Sequence, residues 1–291
     1  MTPAVAWPGL RPASLDMDNN WNGSVPGSGA GVDGLSPAGS AVMLDGPAAV
    51  GEVGIAVPGL IVLDVSWSMA EDLGRAGGAL EQLRVNLRQN AMTSSNAYLG
   101  MVTFADTAST DLGLVRVADP EVRMPEIAPR GSGTNFHAAF TETLAAYRRE
   151  LPELGRTADG RRRQVFRPSV YFVTDAEHNT GPDWHGVLGE LKSRTWRPNV
   201  FAFGYRQADP HTIRSIADEG LAYFAAQGQD PATMFDKILQ VILRSMVSAT
   251  VTAAGQAADP DAATAVTPVD PDADPATAGL VRMGPIGTTI D

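Results

Sequence analysis

Cysteine is absent from the 291 residues. That excludes disulfides, thiolate metal sites and cysteine nucleophiles together, and it fits a reducing compartment. Basic residues are scarce: 22 Lys and Arg stand against 33 Asp and Glu, a formal net charge of −11. The deficit sits at the ends. Residues 1–58 carry Arg11 against Asp16, Asp18, Asp33, Asp45 and Glu52. Residues 254–291 carry Arg282 against Asp259, Asp261, Asp270, Asp272, Asp274 and Asp291. The middle is close to balance. Phosphate backbones need clustered Lys and Arg, so nucleic acid is a poor partner. The one basic cluster, Arg161-Arg162-Arg163 with Arg156 and Arg167, falls in an expected loop and reads as a solvated charge run. No apolar run approaches the ~20 residues of a membrane span. The N-terminus shows no basic stretch followed by an apolar one, so no secretory signal is expected. These absences point to a soluble, cytoplasmic protein.

What is present is enough apolar sequence for a core, 44% of the chain. Its arrangement divides the chain in three. Residues 1–51 are rich in Gly, Pro, Ser and Ala, without periodicity, and read as a loosely docked arm in which Trp7 and Trp21 favour docking. Residues 52–253 carry the folded domain. Residues 254–291 are an acidic Pro/Asp/Ala-rich tail, where repeated Asp-Pro excludes helix and central strand.

Within the domain, apolar runs alternate with helical patterns. Residues 52–64 form a first core strand, interrupted at Pro58-Gly59. Leu73, Leu80, Leu83, Leu87 and Ala91 give residues 71–92 a helical period. Strands follow at 98–104 and, on an edge, at 111–117. A helix is expected at 136–151, a loop at 152–167, and a second strong strand at 169–175. Helices near 184–193, 210–218 and 231–247 alternate with strands at 199–205 and 222–226. Strand-helix alternation implies a doubly wound α/β fold, with a mainly parallel central sheet flanked by helices.

Both strong strands end in an acid. Leu60-Ile61-Val62-Leu63-Asp64 is followed by Ser66 and Ser68, and Val170-Tyr171-Phe172-Val173-Thr174 by Asp175. Thr134 closes the tight loop Gly131-Ser132-Gly133-Thr134 before a helix. Ligands of open α/β sheets bind outside the carboxyl ends of strands. Asp64, Ser66, Ser68, Thr134 and Asp175 therefore come to one edge and offer hard oxygen, which suits Mg²⁺, Mn²⁺ or Ca²⁺. Helix capping explains Asp64 or Thr134 singly, but not the set.

This pattern resembles the metal-ion-dependent adhesion site (MIDAS) of von Willebrand factor A (vWA) domains, in order and spacing over about residues 58–250. The resemblance implies that Ser66, Ser68 and Thr134 bind the metal directly. Asp64 and Asp175 would act directly or through water, and a carboxylate from a protein partner would complete the octahedron. It implies binding without bond-making, hence no enzyme activity. Within the superfamily, Arg167-Pro168-Ser169 through Asp175, with Asp183-Trp184 and residues 199–205, is similar to the bacterial tellurium-resistance (TerY-like) stress-response group. The family often has Gly where this chain has Trp67 and Ala176; Gly admits positive φ, which Trp and Ala adopt poorly. Trp67 beside the site is placed to anchor a partner. His137, just after Thr134, and His178, in the loop after Asp175, are further partner-binding candidates.

Other chemistries have weaker support. Glu177, His178, Asp183 and His185 lack the helical His spacing of a zinc site. The Gly131 loop lacks the Lys of a phosphate loop. Ser66 and Ser68 have no His with an orienting acid. Two alternatives to a metal-bridged adaptor stay open: a metal-independent scaffold, and the vWA subunit of an ATPase-driven chelatase-type complex.

Overall fold

The computed structural model describes residues 54–157, 160–225, 230–258, 268–273 and 276–284. The expected arm, residues 1–51, lies outside them. The sheet is built from β1 (Gly54–Asp64), β2 (Ala97–Phe104), β3 (Ala108–Arg116), β5 (Ser169–Thr174), β6 (Asn199–Gly204), β7 (Ala222–Ala225) and β8 (Leu280–Met283), in the order β3-β2-β1-β5-β6-β7-β8. A short β4 (Arg163–Val165) pairs with the start of β1. Pairings are parallel except at the two edges, β2 with β3 and β7 with β8. The helices are α1 (Ala70–Gln89), α2 (Ala91–Asn96), α3 (Phe136–Leu154), α4 (His185–Ser193), α5 (Pro210–Ile216) and α6 (Pro231–Ala258).

Side chains of a strand alternate between faces, and in β1 both faces are apolar. Leu60 and Val62 pack under α3 with Phe104, Phe136, Phe140 and Phe172. Ile61 and Leu63 pack on the other face with residues of α1 and α6, among them Leu80, Leu83, Ile238 and Ile242. A parallel strand covered on both faces reads as a continuous apolar run, which is why β1 and β5 stand out in the sequence.

Three expectations change. Pro58-Gly59 does not interrupt β1, which runs unbroken through both residues. Successive backbone groups of a strand point to opposite sides. Ala56 accepts Phe166 N–H, so Pro58, two residues on, turns its missing donor to that same side. There it falls between the residues paired with β4 (Gly54–Ala56) and those paired with β5 (from Gly59), where no ladder bond is lost. The expected loop 152–167 contains β4 and the last turn of α3. The segment after residue 253 also contributes structure. α6 continues to Ala258, and Leu280–Met283 closes the sheet as β8 with Leu280 and Met283 buried. Aspartate-proline repeats stop a helix, but they do not prevent a short edge strand beyond them.

Among the described residues, Thr233–Ala257 of α6 is long and apolar enough to cross a membrane by length and composition. No unbroken apolar run stands out in the sequence, because Asp236, Lys237 and Arg244 interrupt it along with Ser and Thr. In the fold, Met234, Phe235, Ile238, Leu239, Val241, Ile242 and Met246 are buried against the sheet.

Candidate metal site at the carboxyl edge

The strand order reverses at β1 and β5: the chain leaves β1 toward β2 and β3, then returns to build β5 to β8 on the other side. The crevice at such a switch point is the ligand position of open α/β sheets. Leu63 pairs with Val173, so the next residues, Asp64 and Thr174, end their strands side by side.

Asp64 is fully buried. Its Oδ1 accepts the Ser66 N–H at 2.9 Å and its Oδ2 the Thr174 hydroxyl at 2.7 Å. Burial pushes this carboxyl up from 3.8 to about 6, against the pull of those hydrogen bonds; the charge of Asp175 adds to the rise. Ser66 Oγ lies 2.9 Å from Ser68 Oγ, and Ser68 Oγ donates to Asp175 Oδ1 at 2.8 Å. Asp175 is 2% exposed, and burial raises its carboxyl too, opposed by Ser68 and by Arg206.

Thr134 is buried, and its loop is laced to both others. Its N–H donates to Asn179 Oδ1 at 2.8 Å and its carbonyl accepts the Asn179 N–H at 3.2 Å, which ties it to the loop after β5. Arg130 N–H donates to Val65 O and Trp67 N–H to Gly131 O, which tie the same loop to the one after β1. Gly131 has φ +72°, and a Cβ there would strike Asp106, so glycine is required. Asn135, not Thr134, caps α3: its side chain accepts the Ala138 N–H.

The two departures from the family pattern are accommodated. Among the described residues the one non-glycine with positive φ is Arg206, so neither Trp67 nor Ala176 needs a left-handed backbone. Trp67 opens a 3-10 turn, Trp67–Met69, and is 61% exposed beside the two serines. His137 is half-buried in the first turn of α3. His178 is occupied inward: its Nδ1 accepts the Phe136 N–H at 3.2 Å and its ring lies 5.5 Å from that of Phe136. His185 pairs with Asp183 rather than with a cluster. Among the described residues no three His, Asp or Glu gather as a metal-binding group.

Sequence reasoning missed the hydrogen-bonding groups around the five residues. Thr174 stands beside Asp175 in the pattern that carries the resemblance, but its bond to Asp64 has no signature in the sequence. Asn179, Tyr205, Asp72 and Arg206 carried no signal, because their partners lie far along the chain.

The donor set suits a hard cation. Two buried carboxylates adjoin two hydroxyls in a run of oxygens, and Asp64 is hydrogen-bonded by two neutral groups, the Ser66 N–H and the Thr174 hydroxyl. Among the described residues no ion pair reaches Asp64, so its charge is shielded from water by burial and would be offset by a divalent ion.

The fold and site define a doubly wound domain with an oxygen-donor cluster at its switch point. The von Willebrand factor type A domain model matches residues 60–239, more than half of the sequence. The chain belongs to that family, whose members are often metal-dependent protein-interaction modules. Among solved structures it is similar to proximal thread matrix protein 1 of the mussel byssus, with TM-score 0.50 and 14% identity over 67% of this chain and 49% of that one. A second structure of that protein has a zinc-occupied MIDAS motif, with TM-score 0.49, 14% identity and the same coverage. The SpaC pilus adhesin of Lactobacillus rhamnosus GG matches with TM-score 0.50 and 13% identity over 67% of this chain and 30% of that one. The chain spans half or less of these proteins, and the likeness is one of fold. No curated protein matches the sequence.

Proposed function

We propose that this chain is a non-enzymatic protein-binding module that holds a divalent cation, Mg²⁺ or else Mn²⁺ or Ca²⁺, among Asp64, Ser66, Ser68, Thr134 and Asp175. The carrying observation is the run of oxygens from Ser66 through Ser68 to Asp175, beside the buried carboxylate of Asp64. The ion would supply positive charge and an open coordination position. The chain's own residues orient it: Thr174 and the Ser66 N–H fix Asp64, and Ser68 fixes Asp175. A partner carboxylate would take the open position, and exposed Trp67 would give that partner an apolar anchor. A bacterial stress-response setting of tellurium-resistance type rests on the resemblance of residues 167–175, Asp183-Trp184, residues 199–205 and residues 224–234, and a cytoplasmic location on the composition of the chain.

Calorimetric titration with Mg²⁺ and Mn²⁺ tests the reading. Saturable binding is expected in the wild type and absent in Asp64→Ala/Ser66→Ala. A wild type that takes up neither metal would sink it. The exposure of Trp67 favours one second reading, a metal-independent contact through that ring. Partner capture that survives EDTA and is lost in Trp67→Ala would select it.

A further inference from the structure

Arg206 borders the site without belonging to the donor set. It follows β6 and has φ +53°, a left-handed backbone that residues with a Cβ adopt poorly. Its contacts hold it there. Nη1 donates to Ser68 O at 2.8 Å and lies 3.7 Å from Asp175 Oδ2. Nη2 bonds Asp72 Oδ1 at 3.2 Å and lies 3.7 Å from Glu71 Oε2. Asp72 is buried on α1 and also accepts the Tyr205 hydroxyl at 3.1 Å. The neighbouring Gln207 N–H donates to Asp175 O at 3.0 Å. One guanidinium thus ties the loop after β1, the loop after β5 and the first turn of α1. Ser68 and Asp175, which it touches, are bonded to each other through Ser68 Oγ and Asp175 Oδ1.

Resting on the metal reading above, we propose that Arg206 is a tethered counter-cation of this site. It holds the Ser68 and Asp175 loops together and competes with a divalent cation for Asp175, which lowers the affinity for that ion. A fixed positive charge already serves one oxygen of Asp175. A dication arriving at Asp175 meets that charge at close range, in surroundings that screen poorly. Coupling between the two is reciprocal: what Arg206 contributes to the metal-free state, metal binding must overcome. Asp72 and Glu71 offset part of the guanidinium charge, which keeps the effect moderate. If Arg206 served only to neutralise buried Asp72, its removal would lower stability and leave metal affinity where it was.

The test is Mn²⁺ calorimetry at pH 7.5 on the full chain, Arg206→Gln and Arg206→Lys, with melting in EDTA followed by circular dichroism. Arg206→Gln should bind Mn²⁺ about five- to tenfold tighter than the wild type and melt lower without metal. Arg206→Lys keeps the charge and should stay within about twofold. Unchanged or weaker binding in Arg206→Gln, or equal tightening in Arg206→Lys, overturns the inference while the metal site itself stands. No Mn²⁺ uptake by either the wild type or Arg206→Gln overturns both. Should Arg206→Gln fail to fold, the guanidinium NMR signals of Arg206 in the wild type decide. They must shift on Mg²⁺ saturation, and their constancy counts against the proposal.

Discussion

Neighbouring strands bring a buried aspartate to the same edge, Asp64 as the last residue of β1 and Asp175 as the first after β5, yet the two are held differently. Asp64 is fully buried and bonded to neutral donors, one of them only two residues away. Asp175 is held by Ser68 and faced by Arg206, both distant in sequence, and Ser68 itself is exposed. One carboxylate is fixed inside the sheet by dipoles. The other is fixed near the rim by a hydroxyl and a cation. Similar hydrogen-bond lengths, 2.7 Å for Thr174 to Asp64 and 2.8 Å for Ser68 to Asp175, therefore sit in unequal surroundings. Burial, more than length, should decide what each bond contributes.

The largest effect should come from the charge on Asp64. Without metal, burial pushes the folded Asp64 carboxyl up to about 6, above its ordinary 3.8. The folded state then holds this proton more tightly than the unfolded chain. The resulting stability is full below about pH 4 and is lost as pH rises through about 6, a change of about 3 kcal/mol. In EDTA, urea unfolding from pH 4 to 8 should show the wild type losing stability relative to Asp64→Asn. A flat difference would put the carboxyl back in its ordinary range and erase the contrast between the two loops.

Thr174→Val comes next. It leaves Asp64 Oδ2 without its donor in the interior and should cost about 1–3 kcal/mol in urea unfolding. Ser68→Ala removes a bond of similar length at the rim and should cost less than about 1 kcal/mol. The reverse order would show that exposure does not separate the loops. Trp67→Ala should have the smallest effect on stability, within about 0.5 kcal/mol by thermal melting, because the ring is already in water. A larger drop would mean that the ring packs on the domain, and Trp67 would cease to be a candidate anchor.

Much of this architecture was legible in the chain. β1 and β5 announce themselves as apolar runs ending in acids, because a strand buried on both faces has no polar side to interrupt it. Asp230-Pro231 marks the start of α6, with an acid at the cap and Pro in the first turn. Less was legible where pairing decides. Pro58 reads as a break, and only the gap between β4 and β5 makes it tolerable. β8 is four residues within an acidic, proline-rich stretch, and it forms because β7 offers an open edge. His178 reads as a loop residue open to a partner, but its imidazole accepts the Phe136 N–H in the first turn of α3.

By itself, the sequence determined the doubly wound fold and the five oxygen-bearing residues at one edge. Periodicity and strand ends are local properties that a chain carries before it folds. Tertiary structure decided how those residues are solvated: which acid is sealed in, which faces a cation, and that Trp67 and Ala176 need no left-handed backbone. Those outcomes depend on burial and on contacts across more than a hundred residues, such as Thr174 to Asp64 and Arg206 to Ser68. Dielectric surroundings and long-range partners exist only once the loops have met.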